Sequence, residues 1–518
     1  MPGSPKDRLI RATSWHAAGR VAAGLLGVVH AAYAFHALGE AGYGLLTLAA
    51  LAALLLVPVE FGLRSTTVRF AAEAAARGDA AAASRVLGSA TLVHLAAGAA
   101  VALPFAALAG PLADAFAVEE AMRGEAVALL RWTAVLLVLG NAASGWTSVL
   151  VALQRTGPLA ASMAAGGLAQ IAGTVAGVRA GMGAPSLALG FAAATATRAI
   201  LEAVAVRRTF PGVSILPWRA SREALGRLRA AGRGLQVSRV VDVLIFTLDQ
   251  VLVSRFLGVA AGGVYRFASD LALKLREAPL LLSAGVLPAA AEVRHADGGE
   301  AVRRLYLRGT KYVFAAAAFV AAFTAAASPR VLEALGGEGA AAAAPVLAIL
   351  ALGVLANVGT GVATQVGVAL ARTDLQGRAA LVSGAVSVLL VPAALLLGLG
   401  APGAAAGTAL ALAAGTAAYL GPFHRVLGVP GRTAFRASYL PPLPPALLVG
   451  GAVILLNGFL PAELWAGGKA QALALLCAEG AIAGALYLGL LMLSGWLDAF
   501  DRDVIRRALA PGAGGKAP

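Results

Sequence analysis

Apolar stretches of about 20 residues recur along the whole of this 518-residue chain, broken only by short charged or Gly/Pro-rich connections. That is the length a helix needs to cross the ~30 Å hydrocarbon core of a bilayer. Only 13% of the residues are charged, about half the usual share of a soluble domain, so a soluble multidomain protein is excluded. The stretches are rich in Ala, Leu and Gly and show no period-two alternation, which excludes a membrane β-barrel. The chain reads as an all-α polytopic membrane protein.

Fourteen transmembrane segments are expected, near 15–37, 43–67, 86–110, 126–152, 158–179, 184–206, 234–256, 264–288, 310–328, 341–370, 377–399, 401–423, 441–460 and 470–494. The first reads as an uncleaved span rather than a signal peptide, because Arg20 and His30 interrupt it and a second span follows at once. Alternate loops then carry twenty-nine basic residues on one side and five on the other. This asymmetry places both termini in the cytoplasm and an even number of helices between them. It also accounts for the net charge of +15 without a nucleic-acid partner. The one cysteine, Cys477, rules out a disulfide framework.

An internal repeat divides the chain. Leu38, Gly39, Ala41, Gly44 and Ala49 recur 219 residues later as Leu257, Gly258, Ala260, Gly263 and Ala268. Residues 71–73 and Arg85 recur at that offset, and residues 151–156 (VALQRT) return as 368–373 (VALART) at an offset of 217. Six helices per half is an even number, so the halves run parallel, related by an axis along the membrane normal. The expected organisation is a six-helix lobe over 1–206, an Arg-rich connection over 207–233, a second six-helix lobe over 234–424, two further helices over 425–500, and a cytoplasmic tail over 501–518. The connection is open to two readings, an amphipathic helix lying on anionic lipid or a solvated linker.

A charge at the centre of a membrane helix costs at least ~2.5–3.5 kcal/mol and needs a reason. The seventh segment carries Arg239, Asp242 and Asp249 on one face, and the eighth carries Arg266, Asp270 and Lys274 at i, i+4 and i+8. Two adjacent charged stripes are most simply hydrated by a shared water-filled cavity. Arg as a bidentate donor and Lys as a point charge suit a phosphate or pyrophosphate there. The pairs Glu60–Arg64 and Arg198–Glu202 lie near helix ends and read as local ion pairs. The six histidines lack metal-ligand spacing, and there is no P-loop, nucleophile elbow or HExxH. No cofactor is implied, and the energy of a transport cycle comes from a gradient, or from the substrate's own gradient, unless a partner supplies ATP.

Residues 38–44 (LGEAGYG), Glu60-Phe61-Gly62-Leu63, residues 69–73 (RFAAE) before Gly78-Asp79, and the second-half set Asp249, Arg255, Leu257-Gly258, Gly263-Val264-Tyr265 and Leu287-Pro288 resemble the oligosaccharide/polysaccharide flippases of the multidrug/oligosaccharidyl-lipid/polysaccharide exporter superfamily. The resemblance spans roughly residues 10–425, with Glu60 standing where the family more often has Asp. It implies an inner-membrane flippase that moves a polyprenyl-pyrophosphate-linked oligosaccharide to the outer leaflet. Alternating access is expected around a cavity whose basic residues hold the pyrophosphate. Lipid II flippases of the superfamily imply that the last two helices shape a groove for the lipid tail.

Arg20, Arg239, Arg266 and Lys274 are the expected substrate-binding residues. Asp242, Asp249, Asp270 and Glu60 are expected to orient them or to hold a coupling H+ or Na+. Membrane lipids and a polysaccharide polymerase are the expected partners. The alternative in transport is a cation-coupled drug antiporter of the same fold, which needs an acid-dominated cavity. The alternative enzyme, a membrane polymerase or ligase, needs a large outer catalytic loop, and the outer stretches near 111–125 and 329–340 are short.

Overall fold

The computed structural model describes residues 5–60, 63–232, 237–283, 286, 290, 298–461, 465, 468–496, 498, 501 and 503; the side chains of 5–18, 53, 57–60, 65, 229–232, 237–242 and 298 are outside that description. Every regular element among the described residues is helical, as expected where lipid offers the backbone no hydrogen bonds.

The first half holds α1 (Pro5–Glu60), α2 (Leu63–Ala76), α3 (Ala80–Ala107), α4 (Ala109–Ala115), α5 (Glu120–Ala152), α6 (Thr156–Arg179) and α7 (Pro185–Thr209). A short α8 (Arg222–Gly232) leads to the second half: α9 (Val237–Leu257), α10 (Val259–Leu281), α11 (Gly298–Gly336), α12 (Glu338–Ala341), α13 (Ala344–Val358), α14 (Gly361–Ala369), α15 (Asp374–Leu396) and α16 (Gly400–Leu427). Last come α17 (Gly431–Ala434), α18 (Leu443–Phe459) and α19 (Lys469–Leu493).

Ten of the described helices are long and apolar enough to cross a membrane, and α17 with α18, bent by 41°, makes an eleventh. The charged α9 and α10 fall outside that group, although they are 21 and 23 residues long. Helix α1 counts once there, yet it is broken at Gly39, whose φ of 70° ends one limb and starts the next.

The repeat is visible in the backbone. Gly258, the counterpart of Gly39, has φ 93° and separates α9 from α10 as Gly39 separates the limbs of α1. Only glycine enters such a conformation at little cost. At the offset of 217, Gln154 and Ala371 share a left-handed φ (53° and 58°). Arg155 N donates to Leu150 O and Arg372 N to Gly367 O, both at 2.8 Å. Two turns in opposite halves thus have one geometry.

The connection 207–233 lies against the first half. Ser221 N donates to Ser89 Oγ (3.0 Å) and Ser214 N to Ser84 Oγ (3.0 Å), while Leu228 of α8 is buried with Leu63 and Ala90. Neither a free linker nor a helix resting only on lipid describes it. Its described arginine side chains, Arg207, Arg208, Arg219, Arg222 and Arg227, are exposed, while small and apolar residues of the connection dock on α2 and α3.

After α19 the chain folds back onto α11. Lys311 Nζ donates to the Trp496 carbonyl (2.7 Å) and to the buried Asp501 carboxylate, which also accepts from Tyr312. Trp496 Nε1 in turn donates to the Ala437 carbonyl (3.0 Å).

Candidate functional site: two arginine-lined cavities

The two halves meet tightly at one end of the bundle and part at the other. At the end holding Gly39 and Gly258, a side chain on Gly44 would run into the Val259 carbonyl, and one on Gly263 into the Glu40 carbonyl. Close backbone approach through small residues is how membrane helices pack. Towards the end holding Arg155 and Arg372 lie two cavities, one between the halves and one within the first half.

The larger, about 400 Å³, lies between α1 and the second half; Arg20, Arg276, Asn357, Gln365, Gln376 and Tyr419 are among its lining residues. The other, about 370 Å³, lies within the first half and is lined by Arg64, Thr147, Gln170, Arg198 and Glu202, among others. Arg20, Ala23 and Gly27 line one or the other cavity, and their i, i+3, i+7 spacing puts them on one face of α1. Lys274 lies alongside, its Cε 3.3 Å from where a Cβ on Gly27 would sit.

Among the described lining residues of both cavities are four arginines and one acid, Glu202. Glu202 is 2% exposed and already engaged. It accepts from Thr147 (2.5 Å) and Ser162 (2.9 Å), with Arg198 Nη2 at 3.6 Å. Hydroxyls from two other helices thereby replace the water a buried carboxylate loses. Glu277 stands 3.9 Å from Arg20 and 4.0 Å from Lys274, all three partly exposed. Such pairs are worth little and leave both cations able to exchange partner. The arrangement can therefore take up a multiply charged anion.

The expected site residues divide. Arg20 lines the larger cavity and Lys274 flanks Gly27. Arg266 and Asp270 line neither cavity. Arg266 Nη1 donates to the Leu46 carbonyl (3.0 Å), its Nε lies 3.5 Å from Asp270 Oδ2, and Tyr43 OH donates to the same oxygen (2.8 Å). That cluster ties α10 to the second limb of α1. Asp249, 2% exposed, accepts from Tyr265 OH (2.7 Å), Thr408 Oγ1 (2.9 Å) and Gln250 N (2.7 Å). Its described partners are hydroxyls and a backbone N–H, where arginines were expected. The side chains of Glu60, Arg239 and Asp242 lie outside the described residues.

Arg64, Arg198 and Arg276 are the cavity residues that sequence reasoning passed over. In the sequence Arg64 and Arg198 each read as half of a local ion pair, with Glu60 and Glu202, and Arg276 only follows the stripe Arg266, Asp270, Lys274. The signal for Arg198 was present: it and Glu202 are the only charged residues between Arg179 and Arg207, in an otherwise largely apolar stretch.

A family model described as "Polysaccharide biosynthesis protein" matches residues 9–287. Among solved structures, the lipid II flippase MurJ in an inward closed conformation is similar at 14% identity, with a TM-score of 0.65, over 96% of this chain and all of that one. The eukaryotic MATE transporter AtDTX14 is similar at 15% identity and TM-score 0.57, over 84% of this chain and 98% of that one. The Vibrio cholerae MATE transporter VcmN in its bent form is similar at 17% identity and TM-score 0.55, over 83% and 98%. No curated protein sequence matches the chain. At such identities the likeness is one of fold, while the family model covers more than half of the chain. The chain is a member of the polysaccharide biosynthesis protein family.

Proposed function

We propose that this protein is an inner-membrane flippase that moves a polyprenyl-pyrophosphate-linked oligosaccharide from the cytoplasmic to the outer leaflet by alternating access. The observation that carries this reading is the lining of the two cavities, four arginines against one satisfied glutamate. A drug-cation antiporter needs the opposite charge. In this reading the chain crosses the membrane fourteen times, counting both limbs of α1, α9 and α10, and both termini are cytoplasmic. The lobes comprise 1–206 and 234–424, joined by 207–233, with 425–500 supplying two further helices and 501–518 a tail.

Positive-inside asymmetry assigns the open end to the cytoplasm, so the conformation described faces inward. Arg20, Lys274, Arg64, Arg198 and Arg276 are proposed to meet the pyrophosphate, with Arg239 alongside. Asp249, Asp242 and Glu60 are proposed for the coupling H+ or Na+. A polysaccharide polymerase is the proposed downstream partner.

The test is translocation of a fluorescent polyprenyl-pyrophosphate-linked oligosaccharide by the purified protein in liposomes, beside a cationic dye. Movement of the lipid-linked sugar supports the flippase. Gradient-driven dye efflux without lipid movement assigns the protein to the antiporters instead.

A further inference from the structure

The larger cavity is more than a cationic site. Three side-chain amides enter its wall from three successive helices, Asn357 from α13, Gln365 from α14 and Gln376 from α15, each partly buried. Among the described residues none of these amides has a hydrogen-bond partner. The threonines between them are committed in one direction only. Thr360 Oγ1 donates to the Asn357 carbonyl (2.8 Å), Thr364 to Gly361 (2.8 Å) and Thr416 to Ala356 (3.0 Å). A hydroxyl whose proton is spent on the backbone still has lone pairs to offer, whereas an amide offers donors and acceptors in one plane.

That combination selects a kind of ligand. Lone pairs repel a phosphate oxygen but accept readily from a hydroxyl, and a planar amide can meet two neighbouring hydroxyls of a sugar ring at once. The same cavity carries Arg20 and Arg276, which have only donors and suit phosphate oxygens. In the first-half cavity the one described side-chain amide is already engaged: Gln170 Nε2 is 3.3 Å from His30 Nδ1. At about 400 Å³ the larger cavity is within the range that encloses small ligands.

We propose that this cavity is the saccharide chamber of the substrate, with Asn357, Gln365 and Gln376 as the residues that select the glycan and Arg20 and Arg276 as the holders of the linking phosphates. The assignment rests on the flippase reading and divides its site into two chemistries.

The experiment uses two probes on the purified full-length protein, geranylgeranyl pyrophosphate and geranylgeranyl-pyrophosphoryl-N-acetylglucosamine, titrated by calorimetry. The variant N357L/Q365M/Q376M removes the amides at nearly constant volume. Wild type is expected to bind the glycosylated probe at least tenfold tighter than the bare one. The variant is expected to lose that preference while binding the bare probe unchanged. A variant that keeps the preference, or that loses both probes equally, overturns the chamber. Wild-type protein that binds neither probe counts against the flippase reading itself. Should the triple variant fail to fold, Q376M alone is expected to lower the preference about threefold, and an unaltered preference overturns its role.

Discussion

Gly44 and Gly263, equivalent positions of the two halves, pack against one another's helix so closely that a Cβ on Gly263 would lie 2.8 Å from the Gly44 amide nitrogen and run into the Glu40 carbonyl. The obstacle is backbone, which has no rotamer to escape into. Gly44→Val and Gly263→Val are therefore expected to wedge this end apart. Either change should cut translocation at least tenfold in protein that still inserts, and a cysteine introduced at Glu40 should become more reactive to a membrane-impermeant thiol reagent.

The Tyr43–Asp270–Arg266–Leu46 cluster holds that same end through two hydrogen bonds between α1 and α10. Each is worth about 0.5–1.5 kcal/mol, or more where a charge takes part. Tyr43→Phe should shift the population towards the opposite-facing state and leave the fold intact. Arg266→Ala should lower transport while affinity for a prenyl pyrophosphate is kept, whereas Arg20→Ala should lose that affinity. Titration of the two variants with geranylgeranyl pyrophosphate checks the difference.

What the sequence could show here depended on the kind of information involved. The spacing Arg266, Asp270, Lys274 correctly puts three residues on one face of α10, because 100° per residue fixes a helix face. It carries nothing about which neighbour covers each part of that face. Lys274 flanks the cavity-lining Gly27, while one turn or two earlier the same stripe meets Tyr43 and Leu46. Glu202 looked like a snorkelling pair because Thr147 and Ser162, which bury it, lie 55 and 40 residues away in sequence. The repeat was legible for the opposite reason. Turn geometry at Gly39 and Gly258, and at Gln154 and Ala371, is set locally, so equivalent short sequences gave equivalent φ angles.

Stability of the folded-back tail should depend on acid. Burial pushes the Asp501 carboxyl up, but the hydrogen bonds from Lys311, Tyr312 and the Asp498 backbone N–H outweigh it and hold the group below the usual carboxylate range. A carboxyl lowered on folding contributes stability that is complete above its unfolded value, about 3.9, and fades as pH falls through the lower folded value. Tail docking should thus be constant from neutral pH to about pH 5 and weaken below about pH 4. Asp501→Asn should show the weakened state at neutral pH, as measured by proteolysis after α19.

Between α18 and α19, Asn457 Nδ2 donates to the buried Glu479 at 2.9 Å. Asn457→Leu leaves that carboxyl without its described donor, at a cost of about 1–3 kcal/mol. A lower unfolding temperature in detergent, with Asn457→Gln closer to wild type, is the expected result.

The central claim is that the arginine-lined space between the halves carries the anionic headgroup of a lipid-linked sugar. Its most direct test is translocation of a fluorescent polyprenyl-pyrophosphate-linked oligosaccharide in liposomes by wild type and by Arg20→Ala/Arg276→Ala. Robust flipping by wild type, reduced at least tenfold in a double variant of unchanged unfolding temperature, is the predicted result. Equal flipping by both proteins would contradict the account.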